Sequence, residues 1–340
     1  MRVGINPSKL DPKIPKQFYH RIIIPVFVPN FTGYFQDIFE VYKVCIESAF
    51  LTQHSRSAIT LVDNGSCQEV KDWMRHLLEK GKIDTLITHS TNIGKVDAIL
   101  GAARGCREDL ITISDSDILF NNGWQEAVES VFLNFDNAGS VAPFPISRHM
   151  YYYSTAVQKS VVLGQLGFQF EKTKDSSLIK ENYECYNWSF DESYDSILPV
   201  VKSGSAKAVM GSGHQIMTIR REAIFKMPTD PCFIKISSGS ENFWIDKPID
   251  DAGLWRLSTV DTWVNHMGNS LTSQNKKVFQ GLKQSDHQPD LIQLPKQNSK
   301  PNSSFSQRVF AKLFKKTKEN RPPAPKLKVQ AEQDGVISKS

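Results

Sequence analysis

The chain has 340 residues, of which 40% are hydrophobic and 23% charged, with a net charge of +5. These proportions suit a folded globular body of one large or two smaller domains, and no run approaches the roughly 18 apolar residues of a membrane span. Residues 271–340 hold 14 Lys or Arg against 5 Asp or Glu, which leaves the first 270 residues with a net charge of −4. A nucleic-acid-binding body carries the opposite distribution, so no nucleic-acid partner is expected.

The first twenty residues contain no apolar leader stretch, and the five cysteines (Cys45, Cys67, Cys106, Cys185, Cys232) are scattered singly. Both features predict a cytoplasmic protein with reduced thiols and no zinc site.

The first 145 residues alternate strand-like and helix-like segments. "RIIIPVFV" (21–28) predicts a buried strand and 31–51 a helix. A strand over 58–62 ends in the turn "DNGS". Residues 68–80 read as a helix, 83–89 as a strand and 96–104 as a helix. "LITI" (110–113) predicts the fourth strand, followed by a helix over about 123–134 and a strand in "GSVAPF" (139–144). Such alternation implies α/β architecture, a mostly parallel sheet with helices on both faces, whose ligands bind beyond the carboxyl ends of the strands. From 146 to 210 the pattern weakens and aromatics crowd in, which reads as an irregular insertion. Order returns from 211, with a strand in "GHQIMTI" (213–219) and a short helix in "RREAIFKM" (220–227). After about 270 the composition is that of a disordered linker.

Chemistry gathers at the strand ends. Asp115-Ser116-Asp117 follows the fourth strand at once. Two carboxylates so placed can bind a divalent cation, cap a helix or sit in a solvated turn. Asp63 and Asn64 close the second strand, where such residues can read a base or ribose. Asn92-Ile93-Gly94-Lys95 follows the third and puts a cation at a helix start, where an anion is already favoured. Each alone could be an ordinary turn or solvated charge; together they point to one edge.

In this order and at these intervals, "PVF", "VDNGS", "NIGK" and "SDSD" resemble family 2 glycosyltransferases with the GT-A fold. The resemblance runs over about 21–269 and leaves 147–209 unmatched. It implies that Pro25, Phe27 and Asp63 face the base of a nucleotide-diphosphate sugar, with Asn64, Asn92 and Ser116 beside them. It also implies that Lys95 approaches the diphosphate, that Asp115 meets ribose or metal, and that Asp117 ligates the metal. Glu241, Gly253 twelve residues later and His266 thirteen after that fall at the family's spacing of an acidic motif, a Gly and a His. His266 would add an imidazole ligand, which favours Mn²⁺ over Mg²⁺. One departure stands out: the family's Glu-Asp is here Glu241-Asn242. Asn242 cannot take a proton, so the general base falls to Glu241 or to Asp246.

The implied chemistry is transfer of a sugar to an acceptor hydroxyl on a glycan or lipid, in polysaccharide or glycolipid synthesis. A cation stabilises the departing diphosphate, and a single carboxylate on the sugar's other face implies single displacement with inversion. A retaining transferase, a nucleotidyltransferase and a non-catalytic sugar-nucleotide-binding or membrane-scaffold protein remain as other readings. His54, His76, His89, His149 and His214 lack ligand spacing and read as surface or core residues. Trp244, Trp255 and Trp263 could stack on a sugar or pack the core. In the tail, 304–318 predicts a helix with Phe305, Val309, Phe310, Leu313 and Phe314 on one half and Arg308, Lys312 and Lys315 on the other. That helix could lie on the anionic inner face of a membrane or dock on the protein's own body. The expected organisation is a GT-A domain over 1–270, split into a nucleotide-binding half (21–145), the insertion (146–210) and an acceptor half (211–270), then a basic tail.

Overall fold

The computed structural model describes residues 4–316 except 11, 186–187 and 237–238. Twelve strands and eleven α-helices are assigned among them. The β-branched runs form strands covered on both faces: β1 (His20–Val26), β2 (Ser57–Asn64) and β4 (Leu110–Ser114) are buried along nearly their whole length. Burial on both faces explains why these strands read as continuous apolar runs rather than alternating ones. With β3 (Thr85–His89) they form the order β3-β2-β1-β4, all parallel. Their crossovers are α1 (Ile38–Thr52), α2 (Gln68–Glu79) and α3 (Lys95–Arg104).

The first helix begins seven residues later than its sequence pattern suggests. Gly33, at φ +56°, opens a 3₁₀ turn over Gly33–Phe35, and the helix follows at Ile38. This places Tyr34 and Phe35 outside the helix, near the carboxyl ends of the strands.

Beyond β4 the sheet becomes mixed. The strand β5 (Ile118–Phe120) leaves the main sheet, α4 (Trp124–Asn134) follows, and β6 (Ala138–Ala142) returns. The 146–210 segment is more regular than its sequence suggested. After α5 (Thr155–Val162) it forms β7 (Gly167–Lys172), α6 (Ser177–Cys185), α7 (Glu192–Asp195), β8 (Ile197–Ser203) and β9 (Ala206–Met210). β8 and β9 make a hairpin across Gly204-Ser205, where Gly204 sits at φ +57°, the backbone that a two-residue turn demands. The meander extends the sheet to ten strands, closing the order with β10-β6-β11-β9-β8-β7, in which β10 is Ile216–Arg220 and β11 is Trp255–Ser258.

Between β10 and β11 lie α8 (Arg221–Ile224), a π-helical turn (Asn242–Asp246) and α9 (Lys247–Asp251). After β11, β12 (Val264–His266) pairs antiparallel with β5 as a separate two-stranded sheet. Apolar side chains on the two faces of the main sheet form two cores, one around Ile22, Ile24, Trp124 and Phe132, the other around Ile23, Ile99, Ile113 and Ile219.

The tail begins with α10 (Ser273–Gln280), capped by a reciprocal Thr272–Asn275 pair. Residues 281–303 carry no helix or strand, yet they are held to the body. Ser285 N–H donates to Leu51 O at 2.7 Å, Arg220 to Pro295 O at 2.8 Å, and Asn302 N–H to Asp251 O at 2.8 Å. The chain ends, as described, in α11 (Ser304–Lys316), packed on α5. Phe314 is buried at 1% exposure, its ring 5.2 Å from Phe168, and Lys159 stands over Phe310. Part of the apolar side of α11, at Phe310 and Phe314, thus docks on the protein's own body, while Phe305 and Leu313, expected on the same side, stay exposed. Residues 317–318, expected to complete this helix, lie outside the described residues.

Candidate active site

Parallel strands end at one edge, and the side chains just beyond them converge. At the end of β2, Asp63 Oδ1 accepts the Ser66 N–H at 2.8 Å, fixing the turn. Ser66 Oγ accepts the Val28 N–H and donates to Val26 O, which binds the turn to the end of β1. Asn64 donates to Asn92 Oδ1 at 3.1 Å and accepts the Ile93 N–H at 2.9 Å, so the loops after β2 and β3 are knitted together. Gly65 makes this possible: it sits at φ +90°, and a Cβ there would meet Thr91 backbone at 2.8 Å.

These loops surround a cleft of about 400 Å³. Pro25, Phe27, Asn64 and Asn92 line one side, and Lys95, Asp115, Ser116 and Asp117 the other. Asp63 lies beneath this wall, fully buried, with Oδ2 unpartnered among the described residues. Tyr34, Phe35, Tyr42, Lys235 and Ile236 also reach the cleft, and the sequence reading missed them. The Phe35 ring meets Phe27 edge-on at 5.7 Å, which gives the cleft an aromatic wall. Tyr42 lies on the predicted first helix, but nothing local marks it as facing the site.

Lys95 is the first residue of α3, and its N–H donates to Lys235 O at 3.0 Å. Its Nζ stands 2.5 Å from Asp115 and 3.0 Å from Glu241. Burial would lower the pKa of this ammonium, but the two carboxylates outweigh burial and raise it, so Lys95 stays charged. Glu241 shows the complement. Burial would raise its pKa, yet Lys95 and a hydrogen bond from Ser240 Oγ at 2.6 Å hold it below the usual range.

Asp117 faces His266 across the β5–β12 pair, with Oδ2 3.4 Å from Nε2. Its Oδ1 has no hydrogen-bond partner among the described residues. Burial pushes the Asp117 carboxyl up to about 6, against the opposing charge of His266. A carboxylate oxygen withdrawn from water and left bare, beside an imidazole and a second carboxylate at Asp115, fits a divalent cation.

Asp246 ends the π-helical turn and is almost fully buried. Its Oδ1 lies 2.7 Å from Arg256 and its Oδ2 2.8 Å from His214 Nδ1. Neither it nor Glu241 lines the cleft itself, although Glu241 reaches it through Lys95. Gly253 contributes backbone rather than chemistry: it sits at φ +76° after α9, and a Cβ there would strike Lys300 O at 2.0 Å. Of the tryptophans, Trp255 is core and donates to Ser160, while Trp244 holds Asp230 O.

The one group of three metal-type ligands whose atoms converge, among the described residues, lies elsewhere: His20, His54 and Glu129. All four ring nitrogens there have hydrogen-bond partners, and Tyr19 donates to the second Glu129 oxygen. This is a saturated core network with no open ligand position.

Residues 22–182 match the profile of glycosyl transferase family 2. No curated protein matches the chain. Among solved structures it is similar to the mannosyltransferase PcManGT from Pyrobaculum calidifontis in complex with GDP-Man and Mn²⁺, at 14% identity and TM-score 0.40, over 75% of this chain and 60% of that one. It is also similar to S. aureus TarS 1–349 in complex with UDP (10% identity, TM-score 0.41, 77% and 63% covered). A third is GalNAc-T7 with UDP, GalNAc and Mn²⁺ (12% identity, TM-score 0.43, 75% and 44% covered). The chain spans less than two thirds of the length of each.

Proposed function

We propose that this chain, whose residues 22–182 match the glycosyl transferase family 2 profile, is a GT-A transferase that moves a sugar from a nucleotide-diphosphate sugar to an acceptor hydroxyl with inversion. The observation that carries the reading is the convergence of four strand ends on one cleft. That cleft has an aromatic and amide wall at Pro25, Phe27 and Asn64, and a charged wall at Lys95, Asp115 and Asp117.

The wall formed by Pro25, Phe27 and Asn64, backed by Asp63, suits a planar base. Asn92 and Ser116 supply polar contacts to the rest of the nucleotide, and Lys95, held in its charged form, suits the diphosphate. Asp117, Asp115 and His266 would hold a divalent cation, with Mn²⁺ favoured over Mg²⁺ by the imidazole. When bound, that ion would supply Lewis-acid stabilisation of the charge that gathers on the departing diphosphate. The protein's own share is to exclude water from the cleft, to fix the diphosphate beside Lys95, and to accept the acceptor's proton on the Glu241–Asp246 side.

The acceptor is a glycan or a lipid-linked glycan. The outer face of α11 exposes Arg308, Lys312, Lys315 and Lys316 beside Leu313, which suits peripheral contact with an anionic membrane. No described helix is long and apolar enough to cross one.

The test is a panel of nucleotide sugars incubated with the protein and Mn²⁺. Release of free nucleoside diphosphate is expected from at least one donor. Release of pyrophosphate instead would indicate nucleotidyl transfer and overturn the reading.

A further inference from the structure

Resting on the transferase reading, we propose that His214, oriented by Asp246, is the group that takes the proton from the acceptor hydroxyl.

The position of His214 follows from strand register. β10 runs antiparallel to β4, with Ile216 opposite Ser114. One residue outward, the Asp115 N–H donates to Gln215 O at 2.7 Å. His214 is the next residue along, so the register carries it past the Asp115 end of β4; it does not itself line the cleft, but its charge is felt at Glu241. Two glycines set it there. Gly211 is at φ +99°, where a Cβ would strike His149 at 2.5 Å, and a Cβ on Gly213 would meet Gln215 Oε1 at 2.5 Å. The segment therefore runs flush against His149 and lifts the next side chain outward.

The chemistry follows from its partner. His214 Nδ1 lies 2.8 Å from Asp246 Oδ2, and Asp246 is itself pinned by Arg256 at 2.7 Å. A buried carboxylate on Nδ1 fixes one tautomer: Nδ1 carries the hydrogen and Nε2 presents its lone pair. Among the described residues Nε2 has no hydrogen-bond partner, and the side chain is 26% exposed. Asp246 is shut away at 1% exposure, its two oxygens facing Arg256 and His214. Both Glu241 oxygens are likewise engaged, by Lys95 and by Ser240. Asn242 has no basic atom. Among the described residues, His214 is thus the proton acceptor on this side that is both oriented and open.

In the step itself, the acceptor O–H bond breaks and its proton passes to His214 Nε2. The oxygen forms the bond to the anomeric carbon as the carbon–diphosphate bond breaks, and that electron pair leaves on the diphosphate. Asp246 keeps its hydrogen bond to Nδ1 and stabilises the imidazolium. The charged and titratable groups around this pair are Asp246, Arg256, His149 and Tyr152, with Glu241 beyond them. Positioning is the role of Asp246, and proton acceptance that of His214.

The experiment measures nucleoside diphosphate released from a UDP- or GDP-sugar in Mn²⁺, with water as acceptor, across pH, for wild type, H214N, D246N and E241Q. H214N should lose about 10²-fold or more in kcat and keep its affinity for the nucleoside diphosphate. D246N should lose about 10- to 100-fold in kcat with KM little changed, provided it folds; His214 is partly exposed, so H214N tests the proposal even if D246N does not fold. H214N within twofold of wild type overturns the assignment, as does an E241Q that is as slow as H214N while its nucleoside diphosphate affinity is intact. Wild type that releases no nucleoside diphosphate from any donor contradicts the transferase reading itself, and the proton-acceptor role with it.

Discussion

Lys95 Nζ lies 3.0 Å from Glu241 Oε1, joining the first residue of α3 to the carboxylate that precedes the π-helical turn. The same ammonium reaches Asp115, so one cation keeps Glu241 ionised and pairs with a second, half-buried carboxylate at the edge of the cleft. Substituting K95M strands both. Breaking a buried pair by removing one partner costs about 3–5 kcal/mol. Without Lys95, burial dominates at Glu241 and its pKa rises. The sign then follows: a carboxyl with a raised folded pKa destabilises the fold above that pKa and stops doing so once protonated. K95M should therefore be clearly less stable than wild type at pH 7, with the deficit shrinking toward pH 5. Chemical denaturation at both pH values measures it; a deficit that is constant or grows on acidification contradicts the electrostatic role.

Glu129 governs a second pH response, away from the site. Burial alone would raise its pKa, but hydrogen bonds from His20 and His54 outweigh burial and hold it down to about 2. Its stabilisation is complete above the ordinary carboxylate range and is lost as pH falls through that range toward 2. His20 acts in the same direction. Burial lowers its pKa despite Glu129, so the unfolded chain takes up a proton first as pH drops below the imidazole range. The substitution E129Q should cost about 1–3 kcal/mol at pH 7 and flatten the loss of stability on acidification. Melting curves from pH 7 to pH 4 give the comparison.

Phe314 tests whether the tail belongs to the fold. It is a fully buried aromatic in contact with Phe168 of β7. F314A should destabilise by about 3–5 kcal/mol if α11 unfolds only with the body, and by far less if α11 detaches on its own. Reversing the charges of Arg308, Lys312 and Lys315 should leave the melting temperature within a degree or two and weaken binding to anionic vesicles. Unchanged vesicle binding removes the peripheral-membrane role.

Much of the lining of the cleft was legible because its signals are local. A β-branched run followed at once by Asp-Asn-Gly-Ser or Asp-Ser-Asp states both the strand and its end, and parallel topology then brings such ends together. The residues that escaped depend on long-range pairing. His214 lies past the Asp115 end of β4 only because β10 pairs antiparallel with β4, whereas His266 was named from its spacing and meets Asp117 through the β12–β5 pair. Tyr34 was hidden by a helix drawn too early, across Gly33. The β8–β9 hairpin was legible in "KSGSAK" and was masked by the aromatic crowding before it. Docking of α11 could not be read, since its partner surface lies on α5 and β7, far away in sequence.

The most direct measurement is calorimetric titration of UDP and GDP into wild type and D117N, with and without Mn²⁺. Among the described residues the buried Asp117 Oδ1 has no hydrogen-bond partner. Wild type should bind at least one nucleotide about tenfold or more tightly when Mn²⁺ is present, and D117N should lose that gain while keeping the metal-free affinity. Equal Mn²⁺ dependence in the two proteins, or none in wild type, would contradict a cation-binding role for the Asp115–Asp117 turn.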